Sequence, residues 1–456
     1  MNNYYEENRP AFLEGLKEFL RIPSVSTLAA HRSDVRRAAE FVAGDLRRSG
    51  MENVRLIESA DAARHPLVYA DWLHAGAKAT LLLYGHYDVQ PPDPLEEWTS
   101  PPFEPTLRGE DLFARGACDD KGQTFLLLKA LECFLRGEGK LPINVRVLIE
   151  GEEEVGGEHI ASFVATRPGN LRSDAALICD TEMFAPGLPT LCVGLRGIVY
   201  GELLVEGPRT DLHSGVYGGA APNPLQAAAE ILCALKSPDG RIRIPGFYDA
   251  VRAPAAEERE AWERLPFDEK EYLEKEVGAP ELTGEAGIPV LERVWARPTL
   301  EVHGIRGGFT GEGAKTVIPA KALVKLSARL VPDQQPETVI AQIQAAVEAA
   351  RPRGVKAEFR AFHGAGPSSL VDPNNPFVKR AAEALEQAFG RKTVFTRGGG
   401  SIPIVGLFQK HLGVPSVLMG FGLPDDNLHA PNEKFHVPNF YRGIEAVCLY
   451  LRLLGG

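Results

Sequence analysis

A chain of 456 residues is long enough for two or three domains, and 44% hydrophobic with 24% charged residues is typical of a globular protein. This composition excludes a disordered chain, a collagen-like chain and a small disulfide-stabilised scaffold. The net charge of −11 argues against nucleic acid or an anionic membrane as the main partner. The polar N-terminus, and the lack of an apolar run of ~20 residues, predict a cytoplasmic protein without a signal peptide or membrane span.

The first part of the chain alternates helical and extended patterns. Apolar spacing predicts helices at 11–20, 34–49, 121–136 and 157–166. Short β-rich runs predict strands at 53–59, 66–73, 79–85, 143–151 and 174–180. This alternation predicts an α/β domain with a largely parallel sheet.

The pattern changes near residue 192. Long extended runs at 194–207 and 322–332 alternate with helical patterns at 223–236 and 336–351, and a charged stretch at 249–293 is predicted to be mostly helical. We interpret 192–366 as a second, α+β domain. Amphipathic helices and a strand return after it.

Ionisable residues collect at the predicted strand ends. Such residues are His86 and Asp88, Glu150, the run Glu152 to Glu154, and Asp180, while Asp119 and Asp120 precede a helix. In open α/β sheets, ligands bind at the carboxyl ends of the strands. Clustered carboxylates repel one another and need cations or protons. Imidazoles and carboxylates without thiolates favour Zn²⁺, Mn²⁺ or Co²⁺.

Five side chains could hold two metal ions if one carboxylate bridges them. The candidate ligands are His86, Asp119, Glu154, Asp180 and, from a C-terminal loop, His429. Glu153 is left over to take a proton from water and pass it to a leaving amine. We expect the two neighbouring glutamates to point apart in an extended segment. His429 can join this site only if 1–191 and 367–456 form one discontinuous domain with 192–366 inserted.

Each feature also has a simpler explanation when it is considered alone. An aspartate after a strand is often a turn residue, and a run of glutamates is often a solvated turn. The glycine run 398–400 lacks the phosphate-loop pattern, so close backbone approach to a substrate is the better interpretation.

Seven segments together resemble one known family. They read, in chain order, GHYDVQPP, RGACDDKG, EGEEEVGG, DLHSG, KTVIPAK, GGGSIP and HAPNE. They resemble the di-zinc peptidase and deacylase family, which includes carnosinases, aminoacylase, acetylornithine deacetylase and succinyl-diaminopimelate desuccinylase. The combination of DLHSG, KTVIPAK and RLVP is most similar to carnosinase-like, cytosolic non-specific dipeptidases.

The resemblance implies a role for each matching residue of the first domain. Asp119 would bridge the two ions and form a cis peptide with Asp120. Asp88 would support the imidazole of His86, and Glu153 would be the general acid and base. Zn²⁺ is the expected ion, with Mn²⁺ and Co²⁺ as alternatives.

The resemblance also implies that the inserted domain is a lid through which the protein forms a homodimer. His213 and Thr316 would reach the active site of the partner subunit, where His213 would hold the oxyanion. Arg329 and Ser401 would bind the terminal carboxylate of the substrate, with Gly400 beside it. Taken singly, His213 could be a turn residue, Arg329 a surface ion-pair partner, and Ser401 a helix cap.

The predicted function is metal-dependent hydrolysis of dipeptides. The alternatives are hydrolysis of N-acyl amino acids by a deacylase or desuccinylase, and a catalytically silent binding protein. No nucleic acid or membrane partner is expected. Asn375 stands where carnosinase-like members often have a histidine before a proline, so a preference for carnosine does not follow from the resemblance.

Overall fold

The structure is a computed structural model that describes residues 3–362 and 365–456. It divides into two compact units. Unit 1 comprises Met1–Val193, Val371–Thr396 and Ile404–Gly456, and unit 2 comprises Gly194–Leu370 and Arg397–Pro403. The short segment 397–403, which the predicted division left with the C-terminal part, lies in unit 2. In the described ranges, no helix is long and apolar enough to cross a membrane.

The described strands are β1 (Glu52–Ile57), β2 (Leu67–Trp72), β3 (Thr80–His86), β4 (Thr106–Arg108), β5 (Asp111–Phe113), β6 (Asn144–Glu150), β7 (Ala175–Ile178), β8 (Thr190–Leu195), β9 (Gly197–Glu206), β10 (Leu212–His213), β11 (Thr299–Gly307), β12 (Val317–Ile318), β13 (Lys321–Leu330), β14 (Lys356–Ala361), β15 (Ser369–Leu370), β16 (Val394–Gly398), β17 (Ser416–Leu418) and β18 (Lys434–His436). The helices are α1 (Asn3–Leu20), α2 (Arg32–Ser49), α3 (Lys121–Gly137), α4 (Glu158–Thr166), α5 (Ser214–Tyr217), α6 (Pro224–Leu235), α7 (Ala256–Glu263), α8 (Glu269–Glu271), α9 (Val290–Ala296), α10 (Pro336–Ala350), α11 (Pro376–Phe389), α12 (Pro403–His411) and α13 (Val437–Gly455).

The main sheet of unit 1 has the strand order β1-β2-β6-β3-β7-β17-β8. Its four central strands, from β6 to β17, pair in parallel, and the strands at both margins pair antiparallel. The predicted α/β class with a largely parallel central sheet is confirmed. In the register of β3 and β6, His86 lies opposite Glu150, so both residues end their strands at the same edge.

Helix α3 is the central helix of unit 1. It is buried on most of its sides, mainly through apolar residues, and it packs against α1, α2, α13 and β3. A helix that is hydrophobic on every side is stable only when it is buried. Its first residue, Lys121, is buried and donates hydrogen bonds from Nζ to the carbonyl oxygens of Phe19 and Ile22. The residues just before the helix are therefore held at a fixed place in the core.

Unit 2 is an α+β structure, as predicted for the insertion. Its four-stranded antiparallel sheet has the order β11-β13-β9-β14. Strand β9 alternates buried and partly buried residues, which is the period of two expected for a sheet with one covered face. Helices α6 and α10 cover that face with Ile231, Val339 and Ile343. The short strands β10 and β12 form a separate two-stranded ladder.

The predicted helix at 34–49 begins earlier, at Arg32, and ends as expected at Gly50, whose φ of 99° suits a left-handed cap. The prediction for 249–293 was wrong in part. Helices α7 and α8, a π-helical turn at Tyr272–Val277 and the start of α9 lie there, but 278–289 has no helix. Three glycines with positive φ angles occur in this interval, which explains the break.

Candidate active site

Two groups of three side chains in unit 1 could each hold a metal ion. The first group is His86, Asp119 and Asp180, and the second is Asp119, Glu154 and His429. Within each group the ligand atoms all lie within 4.8 Å of one another. Asp119 belongs to both. Its Oδ1 lies 3.2 Å from Nε2 of His86, and its Oδ2 lies 2.9 Å from Nε2 of His429. The carboxylate thus presents one oxygen to each group, as a bridging ligand does.

His86 is fully buried at the end of β3. Its Nδ1 lies 3.1 Å from the backbone oxygen of Asp88 and 3.4 Å from the Asp88 carboxylate. A hydrogen bond at one ring nitrogen orients the other nitrogen for a ligand. The Asp88 carboxylate also accepts hydrogen bonds from the backbone N–H groups of Glu153 and Glu154, at 3.3 and 3.1 Å.

Glu153 and Glu154 lie in a 3₁₀ turn, Glu153–Val155, which follows β6. The expectation of an extended segment was wrong, because the two N–H groups close the turn on the Asp88 carboxylate. The Glu154 carboxylate still faces the second group, with Oε2 3.4 Å from Nε2 of His429. The Glu153 carboxyl is close enough to interact electrostatically with His86, Glu154 and Asp119.

Asp119 precedes helix α3 and forms a cis peptide bond with Asp120, as the resemblance implies. The backbone N–H of Asp119 donates to Glu433, at 3.0 Å. Glu433 is fully buried and forms an ion pair with Arg115, at 2.8 Å. Glu433 was not predicted from the sequence as a site residue, although Glu433 ends the HAPNE segment that carries His429.

Two further observations test whether this donor set suits metal ions. Oε1 of Glu154 is buried and has no hydrogen-bond partner within the described part of the chain. Its Oε2 accepts a hydrogen bond from Gln90, at 2.6 Å, a contact that was not predicted from the sequence. A buried carboxylate oxygen without a donor costs free energy unless a cation or proton satisfies it. The residues present therefore fit divalent metal ions.

Burial, together with neighbouring charges, shifts the pKa values in this cluster. Burial raises the pKa of Glu153 to about 7 and that of Asp120 to about 8, and it raises the pKa of Asp180 as well. Hydrogen bonds to Asp119 and then Glu154 raise the pKa of His429 to about 10. Burial alone would lower the pKa of His86, but its hydrogen bonds to aspartates raise it. The cluster thus holds protons that bound cations would replace.

Unit 2 contains the residues that the resemblance implies for the substrate. Arg329, on β13, donates from Nη1 to Oγ of Ser401, at 2.9 Å. Oγ of Ser401 in turn donates to the backbone oxygen of Arg196. Burial lowers the pKa of both arginines, that of Arg196 to about 10. A Cβ atom added to Gly400 would meet nothing within 4 Å, so packing inside the chain does not require glycine there.

His213 and Thr316 lie side by side in unit 2. His213 pairs with Val317 between β10 and β12, and the N–H of Ser214 donates to the backbone oxygen of Thr316, at 3.1 Å. Both His213 and Thr316 are exposed. His213 also caps the short helix α5, because its Nδ1 accepts from the N–H of Gly215. His213 can therefore cap helix α5 and still expose its imidazole to solvent.

Asn375 caps helix α11, because its Oδ1 accepts a hydrogen bond from the N–H of Phe377, at 2.9 Å. Asparagine is among the residues most favoured at a helix N-cap. A local structural role therefore explains why asparagine suits this position.

The parallel sheet thus ends at a cluster of carboxylates and imidazoles that could hold two metal ions. Residues 82–453 match Peptidase family M20/M25/M40. The chain belongs to this family and is a metallopeptidase, which confirms the resemblance found in the sequence.

Several relatives extend over nearly the whole chain. The Cys-Gly metallodipeptidase DUG1 of Candida albicans is 34% identical over 99% of this chain and 96% of its own length. The crystal structure of human carnosine dipeptidase 1 has a TM-score of 0.84 at 28% identity and covers 99% of this chain and 97% of that one. An M20 family metallo-carboxypeptidase from Sulfolobus solfataricus has a TM-score of 0.86 at 32% identity, covering 97% and 99%.

Proposed function

We propose that this protein is a metal-dependent dipeptidase that uses two divalent metal ions. The observation that carries the proposal is Asp119, whose two carboxylate oxygens face two separate three-residue groups. The names of the Candida albicans and human relatives, a Cys-Gly metallodipeptidase and a carnosine dipeptidase, support dipeptides as the substrate class.

In this proposal one ion would be held by His86, Asp119 and Asp180, and the other by Asp119, Glu154 and His429. Zn²⁺ is the expected ion, and the same donors would also accept Mn²⁺ or Co²⁺. When bound, such ions polarise a substrate carbonyl and lower the pKa of water towards ~7. No sulfur ligand is needed for any of them.

Glu153 transfers a proton from the attacking water to the leaving amine in this proposal. It is next to Glu154 in the chain, and its raised pKa allows it to take a proton and release it again near neutral pH. Glu153 accepts a proton from water as the water attacks the scissile carbonyl carbon. The protonated Glu153 then donates that proton to the nitrogen of the leaving amine, so the carboxylate is regenerated at the end of the cycle.

Unit 2 serves as the lid and dimerisation domain in this proposal. Arg329 and Ser401, already joined by a hydrogen bond, bind the terminal carboxylate of the substrate, with the backbone at Gly400 beside it. His213 and Thr316 are exposed and complete the site of the partner subunit, where His213 stabilises the oxyanion.

The edge strand β11 supports a homodimer. It has a sheet neighbour on one side only in the described topology, and its Val302 and Ile305 are 44% and 56% exposed. An exposed edge strand that carries apolar side chains favours pairing with another chain. Light scattering should give a dimer for the wild type and a monomer for Ile305→Lys, with the exposed Lys325→Glu substitution as a charge control. A monomeric wild type would contradict this part of the proposal.

We also propose a cytoplasmic location for this protein.

The test of the function is hydrolysis of a substrate panel by the apoprotein and by the protein reloaded with Zn²⁺, Mn²⁺ or Co²⁺. The panel contains Cys-Gly, β-Ala-His, other dipeptides, longer peptides, and N-acetyl and N-succinyl amino acids. We expect metal-dependent hydrolysis of dipeptides. Activity confined to acyl substrates would support the deacylase alternative. Lack of activity on the whole panel would support a silent binding protein.

A further inference from the structure

Glu433 follows His429 by four positions in the sequence, and its side chain contacts the segment 115–119, which ends at Asp119. Its Oε1 accepts hydrogen bonds from the N–H groups of Cys118 and Asp119, at 2.9 and 3.0 Å. Its Oε2 accepts from the N–H of Gly116 and from Nη1 of Arg115, both at 2.8 Å. One carboxylate therefore satisfies four donors from a single short segment.

The same residue also anchors the loop that carries His429. The backbone oxygen of Glu433 accepts from the N–H of Ala114, at 3.1 Å, and the next residue, Lys434, pairs with Phe113 between β18 and β5. Glu433 thus joins the two segments that supply His429 and Asp119.

The surroundings of Glu433 make this link rigid. Glu433 and Arg115 are 0% and 1% exposed, and Nη2 of Arg115 donates to the backbone oxygen of Pro91, at 3.2 Å. A fully buried carboxylate is tolerated only when charge and hydrogen bonds compensate it, and here one guanidinium and three N–H groups do so. Loss of one partner leaves several buried groups unsatisfied at once.

We propose that Glu433 is a positioning residue that sets the distance between Asp119 and His429 and so shapes the second metal group. The inference rests on the proposed two-metal function. Partners that orient metal ligands typically affect metal affinity by 10- to 100-fold. Since Glu433 would touch neither metal nor substrate, its effect should appear first in metal binding and in the geometry around the metal.

The test is a titration of apoprotein with Co²⁺, followed by the visible absorption of the bound ion. The variant is Glu433→Gln, which keeps the size of the side chain but removes its charge and one acceptor oxygen. The matched control is Asp45→Asn, which also breaks a buried carboxylate ion pair of unit 1, with Lys129 at 2.8 Å. Circular dichroism verifies the fold of each protein.

We expect the wild type to bind two equivalents of Co²⁺. In Glu433→Gln one of the two sites, formed by Asp119, Glu154 and His429 in this proposal, should lose affinity at least about 10-fold and change its absorption spectrum. Asp45→Asn should keep both affinities within about twofold, even if its melting temperature falls. Equal binding and spectra in Glu433→Gln and wild type would overturn the inference, as would an equal loss in Asp45→Asn.

Should Glu433→Gln fail to fold, Glu433→Asp replaces it, because the shorter carboxylate keeps its charge but cannot reach all four donors. We expect it to weaken the second site at least about threefold, and unchanged binding would overturn the inference. Failure of the wild type to bind two Co²⁺ ions would contradict the proposed function itself. Two-site binding that Glu433 does not affect would contradict only the positioning role.

Discussion

The two units present their candidate functional groups in different ways. In unit 1, His86 is buried at the end of a strand with its Nδ1 against a backbone oxygen. The backbone of Asp119 is held by the buried Glu433, while the side chain of His429 is 56% exposed in a loop. In unit 2 the groups are partly or fully exposed, and they form two small sets, Arg329 with Ser401 and His213 with Thr316. Buried, fixed groups suit chemistry, whereas exposed groups suit binding of a substrate or a second subunit.

The contrast predicts that substitutions in unit 1 act on metal binding and turnover, and that those in unit 2 act on substrate affinity and assembly, with His213 as the exception that also acts on turnover in the partner subunit. The largest effect is expected for Glu153→Gln, because no other carboxylate is assigned to the proton transfer. Turnover should fall by a factor of about 100 or more with two metal ions retained. The neighbouring Glu152→Gln is the control, since Glu152 accepts hydrogen bonds from the N–H groups of His65 and His159. Equal turnover in Glu153→Gln and wild type would remove Glu153 from the mechanism.

Complementation tests the role of His213 across the dimer. His213→Ala and Glu153→Ala homodimers should both be nearly inactive, but mixed dimers contain one site with both residues intact. We expect activity to reappear after the two proteins are mixed under conditions that exchange subunits. If the mixture stays as inactive as its parents while exchange is demonstrated, His213 serves its own chain or none.

Arg329→Met should affect substrate binding. A charged hydrogen bond to a carboxylate is worth about 1.5–3 kcal/mol, so kcat/KM for dipeptides with a free carboxylate should fall by roughly 10- to 100-fold. The same substitution should matter much less for amidated dipeptides. Arg351→Met, which removes an exposed arginine paired with Glu348 in the same unit, is the control. Equal losses on free and amidated substrates would contradict carboxylate binding by Arg329.

Metal binding should depend on pH. The pKa of His429 lies at about 10 in the metal-free protein, above its ordinary value, so its imidazole carries a proton at pH 7. A metal ligand must be neutral imidazole, so binding releases this proton, and apparent affinity rises with pH by up to about tenfold per unit for each proton released. Calorimetry in buffers of different ionisation enthalpy measures this release. An affinity that does not change between pH 6 and 8 would contradict the assignment.

The smallest effect is expected for Asn375→Ala. Loss of this helix cap should lower the free energy of unfolding by about 1 kcal/mol, as measured by chemical denaturation. Activity and metal content should not change, because the side chain is engaged with the N–H of Phe377. A large loss of activity without a loss of stability would show that position 375 contacts the substrate.

Much of unit 1 could be predicted from the sequence, because apolar runs mark its strands and parallel strands end at one edge. This rule predicts a common edge for His86, Glu154 and Asp180, whereas Asp119, at a helix start, and His429, in a C-terminal loop, were added as candidate ligands of the same site. It could not show that Glu153 and Glu154 lie in a turn, since that turn depends on the Asp88 carboxylate.

Glu433 and Gln90 were missed for a different reason. Their hydrogen-bond partners are distant in sequence, and Glu433 contacts a backbone N–H 314 positions away. Local sequence patterns do not predict contacts between residues so far apart in the chain. In unit 2 the charged stretch 249–293 suggested more helix than exists, because its glycines, rather than its charge pattern, decide where helices end.

The central claim is that unit 1 holds a two-metal centre that hydrolyses dipeptides. The most direct measurement titrates the apoprotein with Zn²⁺ while recording both bound metal and initial rates on a dipeptide. We predict saturation at two ions per chain, with full activity reached only as the second ion binds. Saturation at one ion, or dipeptide hydrolysis by the metal-free protein, would contradict the claim.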